Sequence, residues 1–275
     1  MSMGLTADSV GTGAALHEFK GERLCPTDKM IAFAGNPNVG KSTLFNRLTG
    51  MNQHTGNWAG KTVCNAVGRC KENDDLVLVD LPGTYSLLCA SREEAVARDY
   101  LCFGRPDAVV VVCDAACLER NLNLVLQVLE ISSKVVVCVN LLDEAKKRGV
   151  TVRLKALSKK LGVPVVGTVA KTGRGIKELI AAVEKTVAAP ESPGFKVPYP
   201  KMVEQAVTQL QKLPLPSLLP GRFLALKLLE QDPLMLESLK QNGGADCFKS
   251  KTQAAVLNTL NKLQEQGCTK CQLQK

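Results

Sequence analysis

Long apolar runs and aromatic side chains are scarce in this 275-residue sequence, and their scarcity excludes several classes of protein. No segment approaches the roughly 18 consecutive apolar residues of a membrane-spanning helix. Residues 1–24 lack the apolar core of a signal peptide, so we expect the chain as given to be soluble. The sequence contains no internal repeat. Residues 200–275 have neither a G-x-x-G loop nor aromatic residues interleaved with basic ones, which argues against an appended RNA-binding module.

Apolar content, charge and cysteine usage limit the possible number of domains, the kind of partner and the redox environment. Hydrophobic residues make up 45% of the sequence, enough for one large domain or two smaller ones with proper cores. The net charge of +9 indicates either an anionic neighbour, such as nucleic acid or a membrane face, or simply a solvated basic surface. The 11 cysteines are odd in number, and Cys113 and Cys138 lie in apolar runs, which is typical of reduced, buried thiols in a cytosolic protein. Cys268 and Cys271 form a lone C-x-x-C, which favours terminal thiols over a metal site.

A phosphate-binding loop is the most informative motif. Residues 35–42 fit G-x-x-x-x-G-K-[ST], after a short apolar run of strand type and before a predicted helix closed by Gly50. In such loops several backbone N–H groups and the helix dipole meet one phosphate chain. We expect Lys41 to reach the β- and γ-phosphates of a nucleotide and Ser42 to bind Mg²⁺. The residues predicted to contact the nucleotide here are Gly35, Asn36, Pro37, Asn38, Val39, Gly40, Lys41, Ser42 and Thr43.

Hydrophobic periodicity divides the chain into two predicted domains. Apolar strand-like runs at 30–34, about 62–69, 76–80, 109–113, 135–139 and 163–168 alternate with helical patterns near 41–49, 92–103, 119–132, 152–161 and 174–188. This alternation predicts an α/β fold, a P-loop domain with a mainly parallel, doubly wound sheet. Helical spacing at 201–213, 221–231, 233–241 and 249–266 predicts a small helical bundle. The predicted organisation is an extension at 1–28, a nucleotide-binding domain at 29–188, a proline-rich linker at 189–200 and a helical domain at 201–275.

A second motif is expected to bind Mg²⁺ and to contact the γ-phosphate. Asp80 ends a predicted strand and opens Asp-Leu-Pro-Gly, the pattern of an aspartate that supports Mg²⁺ in P-loop NTPases. The N–H of Gly83 can then sense the γ-phosphate. The hydroxyl of Thr62 can join Mg²⁺ when that phosphate is present, which makes 51–62 and 81–94 candidate switch segments.

A third motif is expected to read the base. Asn140 and Asp143 fit N-x-x-D after a later strand, where the aspartate carboxylate accepts two N–H bonds from guanine. The alternative for Asp143 is the N-cap of a helix at 144–148. Ala170 follows the last predicted strand and could offer its backbone N–H to guanine O6.

These motifs together resemble the cytosolic GTPase region of the FeoB family, ferrous iron transport protein B. The resemblance rests on Gly35–Asn46, Gly56–Gly60, Asp80–Leu87 and Leu118–Leu122, and Arg222–Glu230 is similar to the signature of the helical domain that follows in that family. It covers roughly residues 29–240. In that family the G domain and a helical domain resembling a nucleotide-dissociation inhibitor precede a polytopic membrane region.

The resemblance implies a biological setting as well as a reaction. It implies that the substrate is GTP and the product GDP, and that hydrolysis regulates bacterial ferrous iron uptake. The chain would be the N-terminal piece of a longer protein, at the cytoplasmic face of the inner membrane. Its partners would be the membrane region of that protein and small Feo accessory proteins, with no nucleic acid.

Hydrolysis is expected to use a monovalent cation. Thr84 stands where Ras-like enzymes carry a water-orienting glutamine, and it is too short for that role. The side-chain oxygen of Asn38 and the backbone carbonyls of Gly56 and Trp58 could hold K⁺, which would act like an arginine finger in cis; a resemblance to potassium-activated GTPases points the same way. The alternative for Asn38 is a hydrogen bond that braces the loop. Residues expected to act in hydrolysis are Asn38, Lys41, Thr62 and Gly83, and Gly56, Asn57 and Trp58 complete the nucleotide-contacting set.

Two departures from the usual guanine motifs leave nucleotide preference open. Leu141 replaces the lysine of Asn-Lys-x-Asp, and Val169-Ala170 lacks the serine of Ser-Ala. Both changes would permit an ATP-tolerant pocket. Two other functions stay as alternatives: a ribosome-assembly or RNA-associated GTPase, and a slow, non-catalytic nucleotide switch.

Overall fold

The computed structural model describes residues 25–50, 53–57, 64–88, 91–190 and 195–265. The chain divides into two compact units, Met1–Phe195 and Lys196–Lys275.

A seven-stranded sheet forms the centre of the first unit. In chain order its strands are β1 Lys29–Gly35, β2 Gln53–Asn57, β3 Cys64–Cys70, β4 Asn73–Asp80, β5 Ala108–Asp114, β6 Val135–Asn140 and β7 Val165–Gly167. Across the sheet they are ordered β2-β3-β4-β1-β5-β6-β7. β1 pairs in parallel with β4 and β5, and β6 and β7 continue the parallel part. β3 is antiparallel to both β2 and β4. The predicted α/β fold with a mainly parallel sheet is confirmed.

Helices cover both faces of this sheet. They are α1 Lys41–Thr49, α2 Arg92–Phe103, α3 Leu118–Ile131, α4 Leu142–Lys147, α5 Leu154–Leu161 and α6 Ile176–Ala188. One face of the sheet packs on the apolar sides of α1 and α6 through residues such as Ile31, Phe33 and Val110. β6 is buried at every position because helices lie on both of its sides, which explains its unbroken apolar sequence.

The parallel pairing brings the predicted site residues to one edge of the sheet. β1, β4 and β6 end at Gly35, Asp80 and Asn140, respectively. The carboxyl ends of parallel strands meet at the same edge. These three residues therefore lie along it in the order Asp80, Gly35 and Asn140, with the end of β5 between the last two. This is the edge at which open α/β sheets bind ligands.

The structure differs from the sequence prediction at the candidate switch segment 51–62. Residues 53–57 form strand β2, which pairs with β3 in a register that sets Gly56 opposite Asn65. The polar sequence Gln-His-Thr-Gly-Asn has no apolar alternation, so nothing local marked it as a strand. Trp58 and Thr62 lie outside the described residues, as do Cys268 and Cys271.

The second unit is helical, as the spacing predicted. Its helices are α7 Lys201–Leu210, α8 Gly221–Glu230, α9 Pro233–Gln241 and α10 Ser250–Glu265, with a 3₁₀ turn at Ala245–Phe248. α8 is buried on all sides from Phe223 to Glu230, so it forms the core of this unit. Arg222 donates hydrogen bonds to both carboxylate oxygens of Glu204 at 2.5 and 2.8 Å and to the carbonyl of Val197 at 2.8 Å, which ties α8 to α7 and to the chain before it. Among the described helices of both units, none is long and apolar enough to span a membrane.

Candidate nucleotide-binding site

The loop between β1 and α1 is curled by two residues in the left-handed backbone region. Asn38 has φ 65° and Gly40 has φ 78°. A Cβ atom at Gly40 would lie 2.5 Å from Nδ2 of Asn140, so only glycine fits this close approach. α1 begins directly after it, at Lys41. The sequence therefore builds the predicted phosphate loop at the N-terminus of a helix, where backbone N–H groups favour anions.

Lys41, Ser42 and Asp80 form a cluster at the end of β4. The Lys41 ammonium is nearly buried and pairs with Oδ1 of Asp80. The Ser42 hydroxyl donates to the other carboxylate oxygen, Oδ2, at 3.2 Å. The predicted phosphate-binding lysine and the two predicted Mg²⁺-related residues are thus brought together by the pairing of β1 with β4.

The segment after Asp80 runs against the phosphate loop. The N–H of Thr84 donates to the carbonyl of Gly35 at 3.1 Å. A Cβ at Gly83 would lie 3.2–3.3 Å from three atoms of Pro37, which is closer than most Cβ contacts in proteins. Gly83, the residue predicted to sense the γ-phosphate, therefore lies directly beside the loop.

The Thr84 side chain does not present its hydroxyl to the phosphate side. Thr84 is fully buried, and its hydroxyl donates to the carbonyl of Ser86 at 2.6 Å, with Oε1 of Glu94 at 3.4 Å. The same Glu94 oxygen accepts the N–H of Tyr85 at 3.3 Å. The guanidinium of Arg120 stacks over the Tyr85 ring at 4.3 Å, which holds this segment to α3. Thr84 therefore leaves the role of a water-orienting glutamine unfilled.

Asn140 links the phosphate loop to the segment predicted to bind the base. Its side chain is fully buried. Nδ2 donates to the carbonyl of Val39 at 3.0 Å, and Oδ1 accepts from the hydroxyl of Thr168 at 3.1 Å and from the N–H of Ala170 at 3.0 Å. The N–H of Ala170, predicted to meet guanine O6, is thus engaged with Asn140 in this structure.

The other members of the guanine motif are arranged around this network. Asp143 is exposed in the first turn of α4, and the N-cap of that helix is Leu141, so the N-cap alternative for Asp143 is wrong. Leu141 has φ 60°, a conformation that is costly for a branched side chain and is typical of functional sites. Val169 is buried, and its N–H donates to the carbonyl of Arg174 at 3.0 Å.

Thr168 is a site residue that the sequence analysis missed. Its hydroxyl supports Asn140 and lies 3.2 Å from the thiol of Cys138. Burial raises the pKa of Cys138 to about 12, so the thiol stays neutral and serves as a weak hydrogen-bonding group. In the sequence, only the position of Thr168 directly before Val169-Ala170 indicated that it could belong to the site. Gly56 and Asn57 lie on β2, and their contact with the nucleotide stays a prediction.

Two family models match this chain. Ferrous iron transport protein B matches residues 29–183, and the FeoB cytosolic helical domain matches residues 199–270. The chain belongs to the FeoB family.

FeoB relatives among curated proteins are much longer than this chain. The Fe(2+) transporter FeoB of Escherichia coli K12 is 42% identical over 210 residues, which cover 74% of this chain and 27% of that protein. The Fe(2+) transport protein A/Fe(2+) transporter FeoB fusion protein of Porphyromonas gingivalis is 41% identical over 218 residues, which cover 74% of this chain and 25% of that protein. The match thus spans about a quarter of the length of these relatives.

Solved FeoB structures match both in sequence and in fold. NFeoB from S. thermophilus bound to GDP.AlF4- and K⁺ has 36% identity and a TM-score of 0.74, covering 87% of this chain and 91% of that one. The cytosolic domain of the T. maritima FeoB iron transporter in a GDP form has 34% identity and a TM-score of 0.70, covering 86% of this chain and 97% of that one. The similarity therefore extends over most of the chain.

Proposed function

We propose that this chain binds GTP and hydrolyses it to GDP. The observation that carries the proposal is the cluster of Lys41, Ser42 and Asp80 under the phosphate loop, joined through Val39 to the Asn140 network. One half of this site has the groups for phosphates, and the other has the groups for a base. The binding of GDP by the related solved structures supports the same assignment.

The residues present fit Mg²⁺ and a phosphate chain. Ser42 and Asp80 offer the hard oxygen atoms that Mg²⁺ prefers, 3.2 Å apart. When bound, Mg²⁺ would neutralise charge on the β- and γ-phosphates. Lys41 would leave Asp80 for the phosphate oxygens, and Ser42 and Asp80 would together hold the metal, as in other P-loop NTPases.

Base preference would come from Asp143 and from the Ala170 segment. The exposed carboxylate of Asp143 is available to accept two N–H bonds from guanine, which adenine does not offer. Ala170 N–H would then be shared between Asn140 and guanine O6. Leu141 and Val169 would loosen this pocket. Because the two lost polar contacts are together worth under ~3 kcal/mol, we expect ATP to bind within about a hundredfold of GTP.

Hydrolysis would be assisted by K⁺. Thr84 is buried and turned away, so charge on the transition state must be met by another group. Asn38 is exposed on the loop, where its side-chain oxygen can reach a cation between the phosphates. S. thermophilus NFeoB, solved with GDP.AlF4- and K⁺, supports the idea by similarity. Gly56 and Trp58 would complete the ion's shell.

Phosphate release in KCl and in NaCl tests this assignment. We expect hydrolysis to be at least about 10-fold faster in K⁺ than in Na⁺, because the ion would supply part of the rate acceleration that an arginine finger supplies. Asn38→Ala should remove the difference and leave GDP affinity within a few fold. Asn73→Ala is the matched control, because its amide bonds Glu184 at the surface and β4 separates it from Asp80. Equal rates in the two salts would contradict K⁺ assistance, but the assignment of the nucleotide-binding site would still hold.

The wider role would be the regulation of ferrous iron uptake. The names of the relatives and of the family support this proposal. The proposed role also requires a membrane region, which lies outside the part of the relatives that this chain matches. The chain would act at the cytoplasmic face of the bacterial inner membrane, with small Feo proteins as further partners. The helical unit would slow GDP release.

A further inference from the structure

Asn36 is a buried side chain whose amide is unsatisfied. It is 3% exposed, and neither Nδ2 nor Oδ1 has a hydrogen-bond partner among the described residues. Burying an amide without partners is costly, so such a group in a folded protein needs an explanation. Asn36 is the first residue after β1 and belongs to the phosphate loop.

Two other buried asparagines at the same edge of the sheet are fully engaged. In Asn121, Oδ1 accepts the N–H of Asp114 at 3.1 Å, and Nδ2 donates to the carbonyl of Cys117 at 2.8 Å. Asn140 makes the three hydrogen bonds described above. Both of these buried amides therefore have hydrogen-bond partners within the fold, and Asn36 differs from them.

The backbone places Asn36 next to the segment after Asp80. Continuing the alternation of β1, Asn36 falls on the face of Ala32 and Ala34, opposite the face on which Gly35 packs against Val112. The residues on either side of Asn36 contact Gly83 and Thr84, in the segment after Asp80. The Gly35 carbonyl accepts the N–H of Thr84, and Pro37 packs against Gly83.

We propose that Asn36 is a positioning residue for the triphosphate-bound state. Its amide would bond backbone groups of residues 83–86 when Gly83 moves to the γ-phosphate. This bond is absent from the structure described here. If it is made only in the triphosphate-bound state it stabilises that state alone, and only differential stabilisation shifts an equilibrium. This inference rests on the proposed GTPase function and adds to it a role for the Asn36 amide, which biases the switch; a contact between Asn36 and the nucleotide stays a separate prediction.

Variants of Asn36 test the inference through the ratio of two affinities. Asn36→Leu keeps the branched shape of the side chain, with somewhat larger terminal groups, and removes the amide; Asn36→Ala removes both the shape and the amide. Binding of GDP and of a non-hydrolysable GTP analogue is measured with Mg²⁺ and K⁺, and thermal unfolding is measured without nucleotide. We expect the analogue-to-GDP affinity ratio to fall about tenfold, the scale of one or two hydrogen bonds. GDP affinity should fall less than the affinity for the analogue, and the unfolding midpoint of Asn36→Leu should be unchanged or higher.

Asn121→Ala serves as the control, because it removes an amide that braces the resting fold. It should lower the unfolding midpoint and leave the affinity ratio as in the wild type. An unchanged ratio in both Asn36 variants, or an equal loss for GDP and the analogue, would overturn the inference. A lowered midpoint for Asn36→Leu would also overturn it, since the amide would then be satisfied at rest. A wild type that bound neither nucleotide would overturn the proposed function as well, and this outcome is distinct from the others.

Discussion

At the scale of single residues, the two ends of the N-x-x-D motif have different physical roles. Asn140 is fully buried and holds the phosphate loop and the Ala170 segment together through three hydrogen bonds. Asp143 is exposed, at the start of α4. The first residue therefore contributes to folding as well as to the site, whereas the second is free to serve the nucleotide alone.

Substitution of each residue by alanine separates these roles. Asn140→Ala leaves Val39 O and Ala170 N–H buried without a partner, which should cost about 3 kcal/mol of unfolding free energy. Asp143→Ala should change stability by less than about 0.5 kcal/mol, as at other exposed sites. It should nevertheless weaken guanine-nucleotide binding by roughly 2–4 kcal/mol. Urea denaturation without nucleotide and GDP titration measure the two effects, and equal stabilities would contradict the account of Asn140.

The charged residues of the site could be predicted from the sequence more easily than the buried polar residues packed around them. Lys41 and Asp80 could be placed together because their motifs follow two strands, and parallel strands end at a common edge. Thr168 and the unsatisfied amide of Asn36 could not be predicted, because burial and partners depend on tertiary packing. The same holds for the left-handed backbone of Leu141, which a leucine does not adopt by preference.

At the scale of elements, α8 carries a buried ion pair within the core of the helical unit. Lys227 donates to Glu230 at 2.6 Å, and both side chains are at least nine-tenths buried. Burial raises the pKa of Glu230, and the nearby Lys227 ammonium opposes that shift. The Lys227 ammonium also lies 5.0 Å from the Phe223 ring centre. A charge removed from such a pair leaves its partner uncompensated.

Single and double substitutions of this ion pair should therefore have different effects on the free energy of unfolding of the helical unit. Lys227→Met alone should destabilise the helical unit by about 3–5 kcal/mol, because Glu230 stays buried without its partner. The double variant Lys227→Met, Glu230→Met should be more stable than the single one, and equal to the wild type or up to about 4 kcal/mol above it. Chemical denaturation of the three proteins measures this. A double variant less stable than Lys227→Met would show that the ion pair itself holds the unit together.

Elements with strong local patterns were predictable, and those made by pairing were not. β6 is a run of apolar residues and α6 has an apolar stripe, so both could be read from the sequence. β2 has only polar residues and glycine, and its strand geometry comes from pairing with β3. The last strand, predicted over 163–168, keeps pairing only at Val165–Gly167.

At the scale of the whole molecule, the division into two units sets up a test of regulation. The sheet unit has its own apolar core, built from β1, β5, β6, α1 and α6. A truncation ending near Ala189 should therefore stay folded. If the helical unit makes contacts preferentially in the GDP-bound state, the truncated protein should release GDP faster. Stopped-flow release of a fluorescent GDP measures this, and unchanged release would show that the unit is only a spacer.

We propose that the loop around Lys41 holds GTP for hydrolysis. The most direct measurement is GTP binding and phosphate release in KCl and Mg²⁺ by the wild type, Lys41→Ala and the control Lys71→Ala, whose side chain is exposed. The wild type and the control should bind GTP and release phosphate. Lys41→Ala should bind no GTP, because the phosphates lose the only lysine of the loop. Normal GTP binding by Lys41→Ala, or a wild type that releases no phosphate, would contradict the account.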